Sequence, residues 1–177
     1  MKIEATSKYD WETVKRLNKF NNFTKNKALN IVVLLMDALS ILRFLIIWTS
    51  QLLTFDLIMI YVVLLFANFM VVFTGFILPK IQYKQNKLLH GVVNKFTFEN
   101  NKILIEQCGE NTSATVTVSY GAIWRVYETK EYIYIYLNSR QAHTVDKSTI
   151  VGGTFADLRN VLSSAVGTGK YKIKSRV

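Results

Sequence analysis

The 22 residues 57–78 (LIMIYVVLLFANFMVVFTGFIL) contain no charged side chain, and this run limits what the chain can fold into. As an α-helix it is roughly 33 Å long at about 1.5 Å per residue, enough for a hydrocarbon core of roughly 30 Å. Residues 28–48 (ALNIVVLLMDALSILRFLIIW) form a second apolar run of similar length that carries Asp37 and Arg43. The short segment 49–56 divides the two. The pattern predicts a transmembrane hairpin over 28–79, with spans at about 28–48 and 57–78.

With 177 residues, the chain has room for one modest soluble domain beside such a hairpin. Its net charge of +10 is placed unevenly. Seven basic and three acidic residues precede residue 28, and Lys80, Lys84 and Lys87 follow the second run with no acid among them. Between the runs only Asp56 is charged. By the positive-inside rule both termini lie in the cytoplasm and the short loop faces out. Basic residues beside spans point to anionic lipid headgroups, so no nucleic-acid partner is expected. Cys108 is alone, which excludes an internal disulfide and suits a reducing compartment. The first apolar run starts too late and is too long for a cleavable signal peptide.

Taken in order, residues 2–8 predict a strand, and Asp10 caps a helix over 11–20. Trp11, Val14, Leu17 and Phe20 share one side of that helix; Glu12, Lys15, Arg16 and Lys19 share the other. Two readings follow. Either the helix lies in the membrane interface with Lys15, Arg16 and Lys19 toward anionic lipid, or its apolar stripe packs on the soluble domain. Residues 21–27 read as a polar connector.

Within the spans, Asp37 lies nine residues after Ala28 and Asn68 ten residues before Leu78. In an antiparallel hairpin the two fall at nearly one depth, where a hydrogen bond is expected between them. Arg43, nearer the outer end, snorkels outward or reaches Asp56. These intramembrane polar residues suggest an ion relay or structural glue within a hairpin or dimer. Glue is favoured, because one carboxylate and one arginine do not make a pathway. Pro79 is expected to end the second span, with Lys80, Lys84 and Lys87 forming a basic stripe on a helical extension.

From residue 92 the hydrophobic period changes to two. Phe96 and Phe98, then Ile103 and Ile105, flank the turn at 99–101; strands follow at 115–118, 123–128, 132–137 and 142–145. The soluble part therefore reads as about six antiparallel strands. One helix closes it, capped by Thr154 with Asp157 and stopped at Gly167, with Phe155, Leu158, Leu162 and Ala165 as its stripe. Lys170, Lys172, Lys174 and Arg176 make a basic tail, read as a frayed terminus. Tyr132, Tyr134 and Tyr136, with Tyr127 and Trp124, suggest either a partner surface or a sheet buried on both faces.

No catalytic pattern emerges. Gly152 and Gly153 lack the rest of a phosphate loop, and two separated histidines, His90 and His143, offer little to a metal or nucleophile. A non-enzymatic protein without cofactor or metal is expected.

Several strings resemble the YcxB-like proteins, small bacterial membrane proteins with a hairpin and a C-terminal PH-like domain. They are Tyr9-Asp10 before a helix, Tyr120, Ile123, Glu128-Thr129-Lys130, the aromatic strand 132–137, Gln141-Ala142 and Lys147. Asp146 stands where the family tends to have proline. The resemblance implies a PH-like sheet capped by the helix at 154–166, and no established biochemical activity.

The expected whole is an α+β membrane protein. It has a strand and amphipathic helix at 1–27, a two-helix hairpin at 28–79, a small antiparallel PH-like domain at 91–167 and a tail at 168–177. The expected role is a scaffold or adaptor at the inner leaflet of a bacterial membrane, binding a protein, a lipid headgroup or a second copy. The alternative is an immunity protein protecting its producer from a membrane-active toxin or bacteriocin.

Overall fold

A computed structural model describes residues 2–48, 55–109 and 113–174. The chain is α+β and divides into two units, residues 1–17 with 86–177, and residues 18–85.

The first unit holds two four-stranded sheets. One runs β1 (Ile3–Lys8), β2 (Val93–Phe98), β3 (Lys102–Cys108) and β4 (Ser113–Ser119), all antiparallel. β1 thus pairs with β2 across some eighty intervening residues instead of standing apart at the N-terminus. Period-two alternation sets the register. Ala5, Phe96 and Ile105 lie in one row and Ile3, Phe98 and Ile103 in the next, all buried. Val116 is exposed because β4 is an edge strand, and only Val118 from it reaches the core.

The other sheet is ordered β7 (Ala142–Asp146), β6 (Tyr132–Tyr136), β5 (Arg125–Glu128) and β8 (Tyr171–Ile173). β8 pairs parallel to β5 and takes up three residues of the expected frayed tail. Arg176 lies outside the described residues. α5 (Phe155–Val166) begins with the expected capping box: Thr154 Oγ1 accepts from Asp157 N–H at 3.2 Å, and Thr154 N–H donates to Asp157 Oδ2 at 2.8 Å. Leu158, Leu162 and Val166 point into the shared core with Val126, Ile133, Ile135 and Val145. Val166, not Ala165, completes the helix stripe; Ala165 is exposed.

The second unit is helical. It contains α2 (Lys27–Trp48), α3 (Phe55–Val72) and α4 (Leu78–Gln85), preceded by the last turn of α1 (Trp11–Phe20). Residues 21–27, expected as a connector, include the π-turn Asn21–Lys25, closed by Asn26 N–H to Asn21 O at 2.9 Å. Pro79 does not end the helix either. A second π-turn, Phe73–Ile77, precedes it, and Leu78 N–H reaches back five residues to Phe73 O. On that spacing Thr74 O is the acceptor Pro79 cannot serve, and Asn22 Nδ2 donates to it at 3.2 Å. The local widening lets the helix run on through proline. Asn30 Nδ2 fixes the same corner by donating to Asn22 O at 2.8 Å.

Among the described residues, one helix, Ile58–Gln85, is long and apolar enough to cross a membrane, with a mean hydropathy of 2.4 in its most apolar window. The loop expected over 49–56 falls largely outside the described residues, as does the side chain of Asp56.

Gly152 marks where the first unit is closed. Its φ is +80°, and a Cβ there would stand 2.5 Å from Lys2 O, beside the paired backbones of Glu4 and Val151. Gly91 has φ +79° and open space around it. In thermal denaturation Gly91→Ala should cost about 1 kcal/mol from φ alone. Gly152→Ala should cost at least about 3 kcal/mol; equal losses would contradict the close approach of Lys2.

Candidate functional site

A carboxylate that neither charge nor periodicity singles out is held by several partners in the first unit. Glu128 ends β5 with its side chain 4% exposed. Arg159 on α5 grips it with both arms of the guanidinium, Nε to Oε2 at 2.9 Å and Nη2 to Oε1. Lys147, just after β7, donates to Oε1 at 3.1 Å and to Thr129 O at 2.6 Å. The Tyr171 hydroxyl on β8 donates to Oε2 at 2.8 Å. Lys147 and Arg159 also lie over the Phe155 ring, 3.8 and 4.7 Å from its centroid.

Four donors fill the carboxylate's acceptor sites. Burial pushes its pKa up, but the hydrogen bonds from Arg159, Tyr171 and Lys147 outweigh that and hold it below the ordinary value. Such a group is a clamp between β5, the turn after β7, α5 and β8, and is unsuited to general-base work near neutrality. Burial, then the bond to Glu128, pushes the Tyr171 hydroxyl upward.

The tyrosine ladder is not a surface. Tyr127, Tyr134 and Tyr136 are buried and Tyr132 half-buried; Trp124, at 36% exposure, is the one accessible member of the set. The face opposite Ile133 and Ile135 is covered as well, so of the two readings, partner surface or sheet buried on both faces, the burial fits the second. Tyr127 and Trp124 pack edge-on against Tyr136, at 5.5 and 6.3 Å between centroids.

Of the basic residues expected at the lipid surface, Arg16 is engaged within the first unit. It donates to Glu12 at 3.1 Å, pairs with Glu131 and lies 5.5 Å from the Tyr132 ring centroid. The start of α1 is therefore docked on the β5–β6 turn, and Val14 and Leu17 line a cavity of about 90 Å³ with Ser7, Asn94 and His143. Burial lowers the His143 pKa, and its ring packs on Phe96. Lys15, Lys19, Lys80, Lys84 and Lys87 are exposed.

In the second unit Asn68 Nδ2 donates to both Asp37 oxygens, at 2.9 and 3.1 Å. Tyr61 Oη adds a bond to Ser40 O at 2.9 Å, so α2 and α3 are joined by polar contacts at two levels. Arg43 is exposed, with no ion pair to a described residue. Among the described residues, no three of His, Cys, Asp or Glu are grouped to hold a metal.

The family model of YcxB-like proteins matches residues 98–162, which contain Glu128, Lys147 and Arg159. The match covers 65 of the 177 residues. Comparisons with curated proteins and with solved structures give no match. The YcxB-like segment supplies three of the four clamp residues; Tyr171 comes from beyond it, on β8. Two of the strings that carried the resemblance, Glu128-Thr129 and Lys147, meet in this clamp. Sequence reading missed it because its parts are spread over 43 residues. A lysine and an arginine flanking an aromatic on α5 were the available signal.

The clamp sets an acid limit on stability. With its pKa depressed on folding, Glu128 stabilises the folded state above the unfolded value near 4.5, and this is lost as pH falls through the folded value. Glu128→Gln should lower stability at neutral pH by about 3 kcal/mol and make unfolding less steeply acid-dependent. An unchanged acid limb in pH-dependent melts would contradict the clamp.

Proposed function

We propose that this chain is a membrane-anchored, non-enzymatic scaffold that holds its YcxB-like, PH-like unit at the inner leaflet of a bacterial membrane for contact with a protein or lipid headgroup. The observation that carries the reading is the apolar surface of the second unit. Only 6% of the most apolar window of Ile58–Gln85 is buried, and Leu65, Phe66, Leu34 and Leu39 are 74%, 62%, 69% and 66% exposed. A surface of this size and character is unstable in water and suits hydrocarbon. α2, joined to α3 through Asp37 and Asn68, supplies the second pass.

Orientation follows from charge. Lys80, Lys84 and Lys87 are exposed just past the long helix and favour the anionic cytoplasmic leaflet. The first unit then lies in the cytoplasm, with its buried clamp serving stability and its surface free for contacts.

The lone exposed cysteine makes the topology measurable. In intact spheroplasts a membrane-impermeant maleimide should leave Cys108 unlabelled until the membrane is permeabilised. Gln51→Cys, in a Cys108→Ser background, should label without permeabilisation. Labelling of Cys108 in intact spheroplasts, or protection of position 51, would contradict the two-pass orientation.

A further inference from the structure

The polar pair of the second unit is incompletely satisfied. Asp37 lies mid-way along α2, half-buried, and its hydrogen bonds come from one amide nitrogen, that of Asn68. That nitrogen is shared further with Leu64 O at 3.0 Å. A carboxylate offers about four acceptor sites, and in hydrocarbon no solvent fills the remainder. No described basic group pairs with Asp37. The surroundings are apolar and open: Leu34 and Ile41, three residues before and four after Asp37, are 69% and 62% exposed. Leu65 and Val72 stand in the same relation to Asn68, at 74% and 50%. Spacing of three and four places each trio along one helix face, giving an unpartnered apolar stripe with a carboxylate at its centre.

Charge complementarity decides what covers it. We propose that the face of α2 and α3 centred on Asp37 docks a membrane-spanning helix of another protein that presents a lysine or arginine at mid-span depth. The inference rests on the two-pass reading above. A second copy of this chain is the wrong occupant, because a parallel symmetric pair brings carboxylate to carboxylate. Its Arg43 lies six residues on, about 9 Å along the axis and about 120° around the helix. A cationic side chain from a different helix supplies the missing donors and cancels the charge, and Asn68 holds the carboxylate toward it. The four flanking apolar side chains provide the packing surface that fixes register.

The test uses the full-length protein in nanodiscs, labelled at Cys108 as donor, with a synthetic leucine-alanine spanning helix bearing an acceptor and one central lysine. Comparison helices carry leucine or glutamate at that position. The lysine helix should bind at least about tenfold more tightly than the leucine helix, and the glutamate helix more weakly than either. Asp37→Asn should abolish the lysine preference, and Phe66→Ala, on a different face of α3, should preserve it. Equal binding of lysine and leucine helices, a preference that survives Asp37→Asn, or self-association of the protein that the lysine helix fails to displace would overturn the proposal. Alkaline carbonate extraction of native membranes separates the two claims. Release of the protein would contradict the two-pass reading itself, whereas retained protein without a lysine preference would overturn only the docking.

Discussion

The apolar surface that α2 and α3 leave uncovered is the constraint from which the rest follows. Side chains such as Leu65 and Leu34, more than two-thirds exposed, are costly to hold in water. In hydrocarbon the preference reverses: apolar contact with lipid is free, and polar groups must find partners inside the protein. The side-chain hydrogen bonds within the second unit are the ones such a medium demands. Asn68 serves Asp37, Tyr61 serves a backbone carbonyl, and Asn22 serves the carbonyl that Pro79 cannot.

The first unit obeys the opposite rule. It buries its apolar side chains in one core between two sheets and α5, and turns lysines such as Lys102 and Lys130 outward. Among the described residues its deeply buried carboxylate, Glu128, is matched by two cations and a phenol. A buried charge this well paired contributes little net stability, but removing one partner is costly, so the clamp ties the register of β5 to α5 and β8. The strand at residues 3–8 belongs to this unit although the helical unit intervenes before β2. The chain thus leaves one fold at the end of α1 and re-enters it at β2.

Local patterns in the sequence carried much of this architecture. The strand alternation around Phe96 and Ile105 and the Thr154–Asp157 box are written in spacings of two and three residues. Depth counting from the ends of two apolar runs sufficed to bring Asp37 to Asn68. The features that escaped depend on tertiary context. Tyr134 and Tyr136 alternate with isoleucine as an exposed row would, and only the covering of both sheet faces removes them from the surface. Lys170 to Ile173 does alternate, but a basic composition hid a strand that Tyr171 pins through Glu128. The π-turns at 21–25 and 73–77 leave no mark in hydropathy, because asparagine side chains elsewhere in the unit make them possible. The same holds for Glu128, whose partners converge only after folding.

The central claim, that a folded β unit is tethered by helices immersed in lipid, is most directly tested by hydrogen exchange of the full chain in nanodiscs read by mass spectrometry. Residues 58–72 and 30–45 should resist exchange for hours, as amides shielded in hydrocarbon do, and the exposed edge strand β4 should exchange far sooner. Exchange of both helices as fast as β4, in the presence of an intact bilayer, would contradict the account.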